Sequence, residues 1–226
     1  MSALRGISFG GTVCGWLMCM AMPLTADLRE TPVADRLSRA AEALTNFVRS
    51  ATGTPRELLA AARCIAVVPH GTEASGFISC RASQTAPWSS PGAIRVEGGI
   101  LWHVPGMEPD LILLAMSSEG AASLSSGQVL LGGLVETYPG PVHPDQNPRA
   151  MVGTPAILTY KDSSGKVEGI LLGGATVAED LRANADLYGR ALGNSAILRP
   201  SAAPKPSDSA SRAVERFRAA LPGNTK

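Results

Sequence analysis

The sequence predicts an α+β fold: a strongly curved antiparallel β-sheet or partly closed barrel, flanked by N- and C-terminal helices. Three observations predict it. Segments with helical periodicity lie toward the two ends of the chain and strand-like segments fill the middle, without the regular strand–helix alternation of a doubly wound sheet. The run LILLAM, Leu111 to Met116, is continuously apolar, as a strand buried on both faces is. Glycine pairs interrupt three apolar segments, at Gly98 and Gly99, Gly132 and Gly133, and Gly173 and Gly174. Glycine inside a strand permits a bulge, a sharp coil or a close backbone approach, so three such strands imply strong curvature.

The elements follow in chain order. Residues 1–26 read as a secretory signal peptide: Arg5 is the one charge, an apolar stretch follows, and small residues at Ala21 or Ala26 offer cleavage points. The rival reading is an uncleaved anchor helix, because the apolar run is just long enough to span a bilayer. A domain is expected over 31–193. Its first helix has Leu37, Ala40, Ala41, Leu44, Phe47 and Val48 on one face, with Thr31 as cap and Pro32 at the first helical position. Thr54-Pro55-Arg56-Glu57 forms a capping box for a second, short helix that runs into the strand CIAVVP. GFISCR, AIRVEGG and LILLAM read as strands, then SSEGAASLSS as a short helix capped by Ser117 or Ser118. QVLLGGLVETY and PAILTYKD read as strands, Ser163 to Lys166 as a turn, and VEGILLGGAT as the return strand. The helix AEDLRANADLYGR is expected to turn Val177, Leu181, Ala185 and Tyr188 inward and to end at Gly189. Residues 194–209 are Pro- and Ser-rich and read as a linker. Residues 210–222 form a short amphipathic helix, with Ala210, Val214, Phe217 and Leu221 on one face; it either docks onto the domain or touches a membrane.

Composition excludes several functions. Aromatic residues are 4% of a chain that is 45% hydrophobic, so the core is mostly aliphatic. The formal net charge is +1, and cleavage after Ala26 removes only Arg5 and leaves none. No broad basic field exists for nucleic acid, and bulk charge does not attract anionic membrane. The glycine pairs lack the lysine and hydroxyl of a phosphate loop and the three-glycine spacing of a dinucleotide fingerprint. No GxSxG elbow appears, and the carboxylates Glu97, Asp110, Glu119 and Glu136 are scattered. His70, His103 and His143 sit in separate loops beside proline, with no ligand spacing. The expectation is therefore a non-enzymatic protein with no catalytic residues, metal or cofactor.

Signal cleavage leaves two cysteines, Cys64 and Cys80, on either side of a hairpin centred near Thr72. In an oxidising compartment the pair invites a disulfide worth roughly 3 kcal/mol on the loop-entropy model. The alternative is two buried free thiols. The segment ILWHVPGMEPD, Ile100 to Asp110, is an apolar loop with Trp102 that either meets a membrane interface or pocket, or packs as core.

These pieces, in this order, resemble the SYLF-domain family, the lipid- and actin-binding domain of yeast and animal endocytic proteins. The resemblance rests on ELLAAARCIAVVP, on Gly76-Phe77 and Cys80-Arg81, and on Trp88, Ser89 and Pro91 followed by IRVEGG. It continues through DLILLAM, Glu119-Gly120, Gly140-Pro141, AILTY and GATVAEDLRANADLYG, and covers roughly residues 36–193. Relatives usually carry a longer glycine-rich hairpin between the GF and CR pairs, which GFISCR closes here. The resemblance implies binding of phospholipid or another amphiphile at the periplasm or cell envelope; actin enters only by family analogy. An envelope protein-interaction or structural module is the alternative, with a protein partner and no specific lipid. In relatives an amphipathic segment ahead of the domain aids membrane docking. By that resemblance Arg36, Arg39, Leu44, Phe47 and Arg49 of the first helix are candidate lipid-binding residues, unless the helix simply caps the sheet, and Trp102 is a further candidate from its apolar loop.

Overall fold

The computed structural model of the chain describes residues 32–50, 54–72, 74–98, 109–133, 135–141, 157–199 and 203–223. The expected signal peptide, Thr31, Trp102, His103 and His143 lie outside these residues.

Helices α1 (Pro32–Ser50) and α2 (Thr54–Ala61) precede strands β1 (Cys64–Val68), β2 (Ser75–Cys80), β3 (Gly92–Glu97) and β4 (Asp110–Ala115). Helix α3 (Ser118–Ser125) leads to β5 (Gln128–Leu130), β6 (Thr137–Pro139), β7 (Ile157–Ser163), β8 (Lys166–Gly169) and β9 (Thr176–Glu179). Helices α4 (Leu181–Tyr188), α5 (Asn194–Ile197) and α6 (Ser211–Ala220) close the chain. The strands form one curled sheet, a half-barrel, in the order β5-β9-β3-β2-β1-β4-β7-β6, with β8 also on β7. All pairs are antiparallel except β6 with β7, so the sheet is mixed.

Period-two alternation divides the apolar side chains between two cores. Ile65, Val67, Phe77, Ile112, Leu114, Leu158 and Tyr160 face the layer of α1, α2, α4 and α6. Cys64, Ala66, Val68, Ile78, Leu111, Leu113 and Val177 face the inner core, which Leu124 of α3 also enters. LILLAM is indeed buried on both faces, three of its residues in each core. On α1, Leu37, Ala40, Ala41, Leu44 and Phe47 are buried and Val48 is partly so, as the periodicity predicts.

Glycine breaks the expected long strands. QVLLGGLVETY is two strands, β5 and β6, around a turn at Gly132, whose φ is +74°. VEGILLGGAT is likewise β8 and β9, with Gly174 at φ +78° between them. A side chain resists that left-handed backbone, so these glycines end strands rather than bend them. The turn between β7 and β8 has Ser164 at φ +55° and Gly165 at φ +91°, the two positive angles of a tight hairpin turn.

Two further expectations are corrected, and the docking alternative for the terminal helix is met. Val177 belongs to β9, and Leu181 on α4 is 51% exposed; the buried face is Ala183, Asn184, Leu187 and Tyr188. The stretch read as a linker begins with α5, whose Asn194 and Ile197 are buried. Helix α6 docks: Ala213, Val214 and Phe217 join the α1-side core, and Trp88 Nε1 donates to the Pro222 carbonyl at 2.9 Å.

Cys64 and Cys80 are register partners on β1 and β2, and a disulfide joins them. The bridge closes a short loop, so reduction is expected to lower stability by about 3 kcal/mol. Urea unfolding with and without dithiothreitol reads this as a shifted midpoint; coincident midpoints would show that the hairpin needs no bridge.

Candidate functional site

Residues that carry the sequence resemblance turn out to hold the framework. Arg81 is buried, and its guanidinium donates to the carbonyls of Ala62, Ala60 and Gln84 at 2.9, 2.6 and 2.8 Å. It lies 4.3 Å over the Trp88 ring, a cation–π contact that adds to its hydrogen bonds. Ser89 Oγ accepts from the Cys80 N–H at 3.0 Å. A Cβ on Gly140 would overlap the buried Tyr160 ring. These side chains are internal, so binding must use another surface.

Strand register identifies that surface. The C-terminal ends of β1, β3, β5 and β7 and the N-terminal ends of β2, β4, β8 and β9 lie at one end of the sheet. There Leu130, Thr176 and Glu97 are level across three strands. The first residues of two glycine pairs and the second of another meet here. A Cβ on Gly98 would lie 3.2 Å from the Gly174 carbonyl, and one on Gly132 would lie 3.2 Å from Gly173 Cα. Gly174 N–H donates to Leu131 O at 3.0 Å and fixes the approach. Around these turns two large apolar side chains stand in solvent, Leu130 at 52% and Leu171 at 57% exposure. Scattered single exposed leucines are ordinary. Two beside converging turns form a small apolar rim, which the sequence signalled only through its repeated LLGG.

Helix α1 brings basic side chains to the same end. Arg39 Nη1 lies beside the β1–β2 turn, 4.0 Å from where a Cβ on Gly71 would be. Arg49 lines a cleft of about 730 Å³ together with Asn46, His70, Asp110, Asp162 and Gly165. Arg36 is half-buried, and its Nε is enclosed without a hydrogen-bond partner. Leu44 and Phe47 are fully buried, with Phe47 edge-on to Tyr160 at a centroid distance of 5.3 Å. Of the five α1 candidates, the structure thus places Arg39 and Arg49 on the exposed end of the sheet and Leu44 and Phe47 in the core.

The cleft holds an arrangement that the spacing of the carboxylates hid. Asp110 and Asp162 are cross-strand partners on β4 and β7. His70 is no isolated loop histidine: its Nδ1 lies 2.7 Å from Asp110 Oδ1, to which its backbone N–H also donates at 2.8 Å. Asp162 is 3% exposed; its Oδ1 accepts from the Gly165 N–H at 2.7 Å, and its Oδ2 has no hydrogen-bond partner. Burial pushes the Asp162 carboxyl above the usual range; the Gly165 hydrogen bond opposes this, and the Asp110 charge adds to it. Among the described residues no three Asp, Glu, His or Cys side chains cluster around one point.

A family model named Ysc84, described as the Las17-binding protein actin regulator, matches residues 99–220. The match starts after β3 and runs through α4, α5 and α6. No curated protein matches the chain.

Proposed function

Since this chain belongs to the Ysc84 family, the SYLF-domain proteins, we propose that it is a non-enzymatic phospholipid-binding protein that acts, after export, at the periplasmic or envelope face of a membrane. The family is associated with lipid- or actin-binding roles. The observation that carries the lipid reading is the rim: Leu130 and Leu171 are exposed beside the glycine turns, at the end where Arg39 and Arg49 reach the surface. Apolar tips enter the acyl boundary while arginines meet lipid phosphates, the division of labour of an interfacial anchor. With a balanced mature charge, the apolar contact supplies most of the affinity, so binding persists at physiological salt.

Flotation of the full chain with phosphatidylglycerol vesicles tests this. Changing Leu130→Asp and Leu171→Asp together is expected to weaken binding about tenfold or more, the loss of two half-exposed leucines from an apolar boundary. Arg39→Glu with Arg49→Glu weakens it on anionic vesicles only, by roughly 2 kcal/mol. Undiminished flotation of the double aspartate variant would discard the rim.

The family description itself favours a second reading, because it names a protein partner, Las17. An envelope protein-interaction module would show no flotation and would retain one stoichiometric protein partner through purification.

A further inference from the structure

Asp162 occupies an unusual setting for a carboxylate. It is buried on β7, and its place opposite Asp110 of β4 sets two carboxyl groups on neighbouring strands side by side. A buried carboxylate is normally held by hydrogen bonds or an opposite charge. Asp162 has the Gly165 N–H on Oδ1, while Oδ2 is shut away from water without a partner. The groups packed around it do not supply the missing charge. Asp110 carries the same sign, and its Oδ1 already takes the backbone N–H and Nδ1 of His70 from the β1–β2 turn. Lys166 of β8 pairs with Glu168 at 2.8 Å, and Lys161 of β7 pairs with the same carboxylate at 2.9 Å. These two lysines hold the Glu168 carboxyl down at about 2 and are committed to it. Arg49 of α1 lines the cleft with both aspartates, but among the described residues it forms no ion pair with either.

A carboxyl so placed binds a proton more readily than an exposed one, because burial and a neighbouring like charge both disfavour ionisation. A proton on Asp162 removes the desolvated charge without moving a strand. It also changes what Arg49 faces. With both aspartates ionised, the cleft holds one positive and two negative side chains, Arg49 against Asp110 and Asp162. A proton on Asp162 brings that balance to zero, and one on His70 acts in the same direction. We propose that Asp162 is a proton-operated switch on Arg49: ionised, it adds a second negative charge that competes with lipid phosphate for the arginine, and protonated, it leaves Arg49 to the membrane. Binding to anionic lipid is then stronger in mild acid. The link to lipid rests on the phospholipid reading; the proton site does not. The sign for stability follows from the same preference. The folded state binds this proton more readily than the unfolded chain, so the Asp162 charge costs nothing at low pH. It weakens the fold as pH rises through its folded pKa, above the ordinary carboxylate range.

The test follows the carboxyl carbons of the isotope-labelled full chain by NMR as pH is raised from about 4.5 to about 8. One aspartate carboxyl carbon is expected to titrate above the others and to be missing from Asp162→Asn. Asp110→Asn is expected to move that titration down towards the ordinary range, since a like charge is gone, and serves if Asp162→Asn does not fold. Asp162→Asn is also expected to gain on the parent in melting temperature as pH rises, by roughly 2–4 °C between about pH 5 and pH 8. On phosphatidylglycerol vesicles the parent is expected to bind about two- to fivefold more tightly near pH 5.5 than near pH 7.5, and Asp162→Asn to bind at the higher pH as the parent does at the lower. An Asp162 that titrates with the other carboxylates, or a melting difference that does not change with pH, would overturn the proton site. An equal acid gain in parent and Asp162→Asn would overturn the switch on Arg49. No flotation at either pH, with the Asp162 titration intact, would strike the lipid reading and the switch with it.

Discussion

Phe47→Ala is expected to lower the unfolding free energy by about 3–5 kcal/mol, the usual range for emptying a fully buried phenylalanine. Phe47 has no exposed surface, and its ring meets Tyr160 edge-on at 5.3 Å with the planes 64° apart. Tyr160 is also fully buried, on the central part of β7 where it pairs with Ile112. The lost ring therefore leaves a void between α1 and the sheet that neighbouring aliphatic side chains close only in part. Urea denaturation reads the loss directly. The same variant separates two roles for α1. If the helix stays docked on the sheet when the protein binds a membrane, vesicle binding per folded molecule is unchanged, because Phe47 never meets lipid. A near-parental stability with lost flotation would mean instead that α1 lifts off the sheet and presents its apolar face to the bilayer.

Asn184→Ala is expected to cost about 4 kcal/mol, since it strips partners from several buried groups that each cost about 1–3 kcal/mol when left bare. Asn184 Oδ1 accepts from the Ala93 N–H at 2.7 Å, and its Nδ2 donates to Leu192 O at 3.1 Å and to Asn194 Oδ1 at 2.9 Å. Asn194 in turn donates to the Ala93 carbonyl at 3.1 Å, and its backbone N–H donates to Glu179 Oε2 at 2.7 Å. Both asparagines are buried, so water cannot replace the lost bonds. This network locks α4 and α5 to β3 and sets the rotation of α4. Asn194→Ala acts on the same groups, so a double-mutant cycle is expected to show the pair costing less than the two single losses together. Additive losses would mean that the two asparagines act separately.

The network explains the one helix whose inward face the periodicity misplaced. An apolar-face count treats Asn184 as a solvent residue and Leu181 as core, yet Asn184 is buried and Leu181 is half in solvent. A polar residue goes inward when every one of its hydrogen-bonding atoms finds a partner, and those partners lie about 90 residues away on β3 and ten residues onward at Asn194. No local pattern reports them. On α1, where the inward face is purely aliphatic and aromatic, periodicity places every residue named from Leu37 to Phe47 correctly. The candidate site divides in the same way. Arg39 and Arg49 were legible as charges on the polar face of α1. Leu130 and Leu171 were hidden inside apolar runs, and Asp110 and Asp162 are 52 positions apart in sequence but opposite in the sheet.

By itself the sequence determined the fold class, the family, the doubly buried strand LILLAM, the aliphatic face of α1 and the opposed positions of Cys64 and Cys80. Each of these rests on local periodicity, on turn chemistry or on the order of short motifs, which a linear chain displays. Where the glycine pairs end strands, how α4 is turned, that α6 docks, and which residues share the exposed end of the sheet emerge only in the folded molecule. These depend on register and on the partners available to buried polar atoms. Pairing β9 between β3 and β5 brings Gly98, Gly132 and Gly174 together, and pairing β4 with β7 sets Asp162 against Asp110; both join segments far apart in the chain.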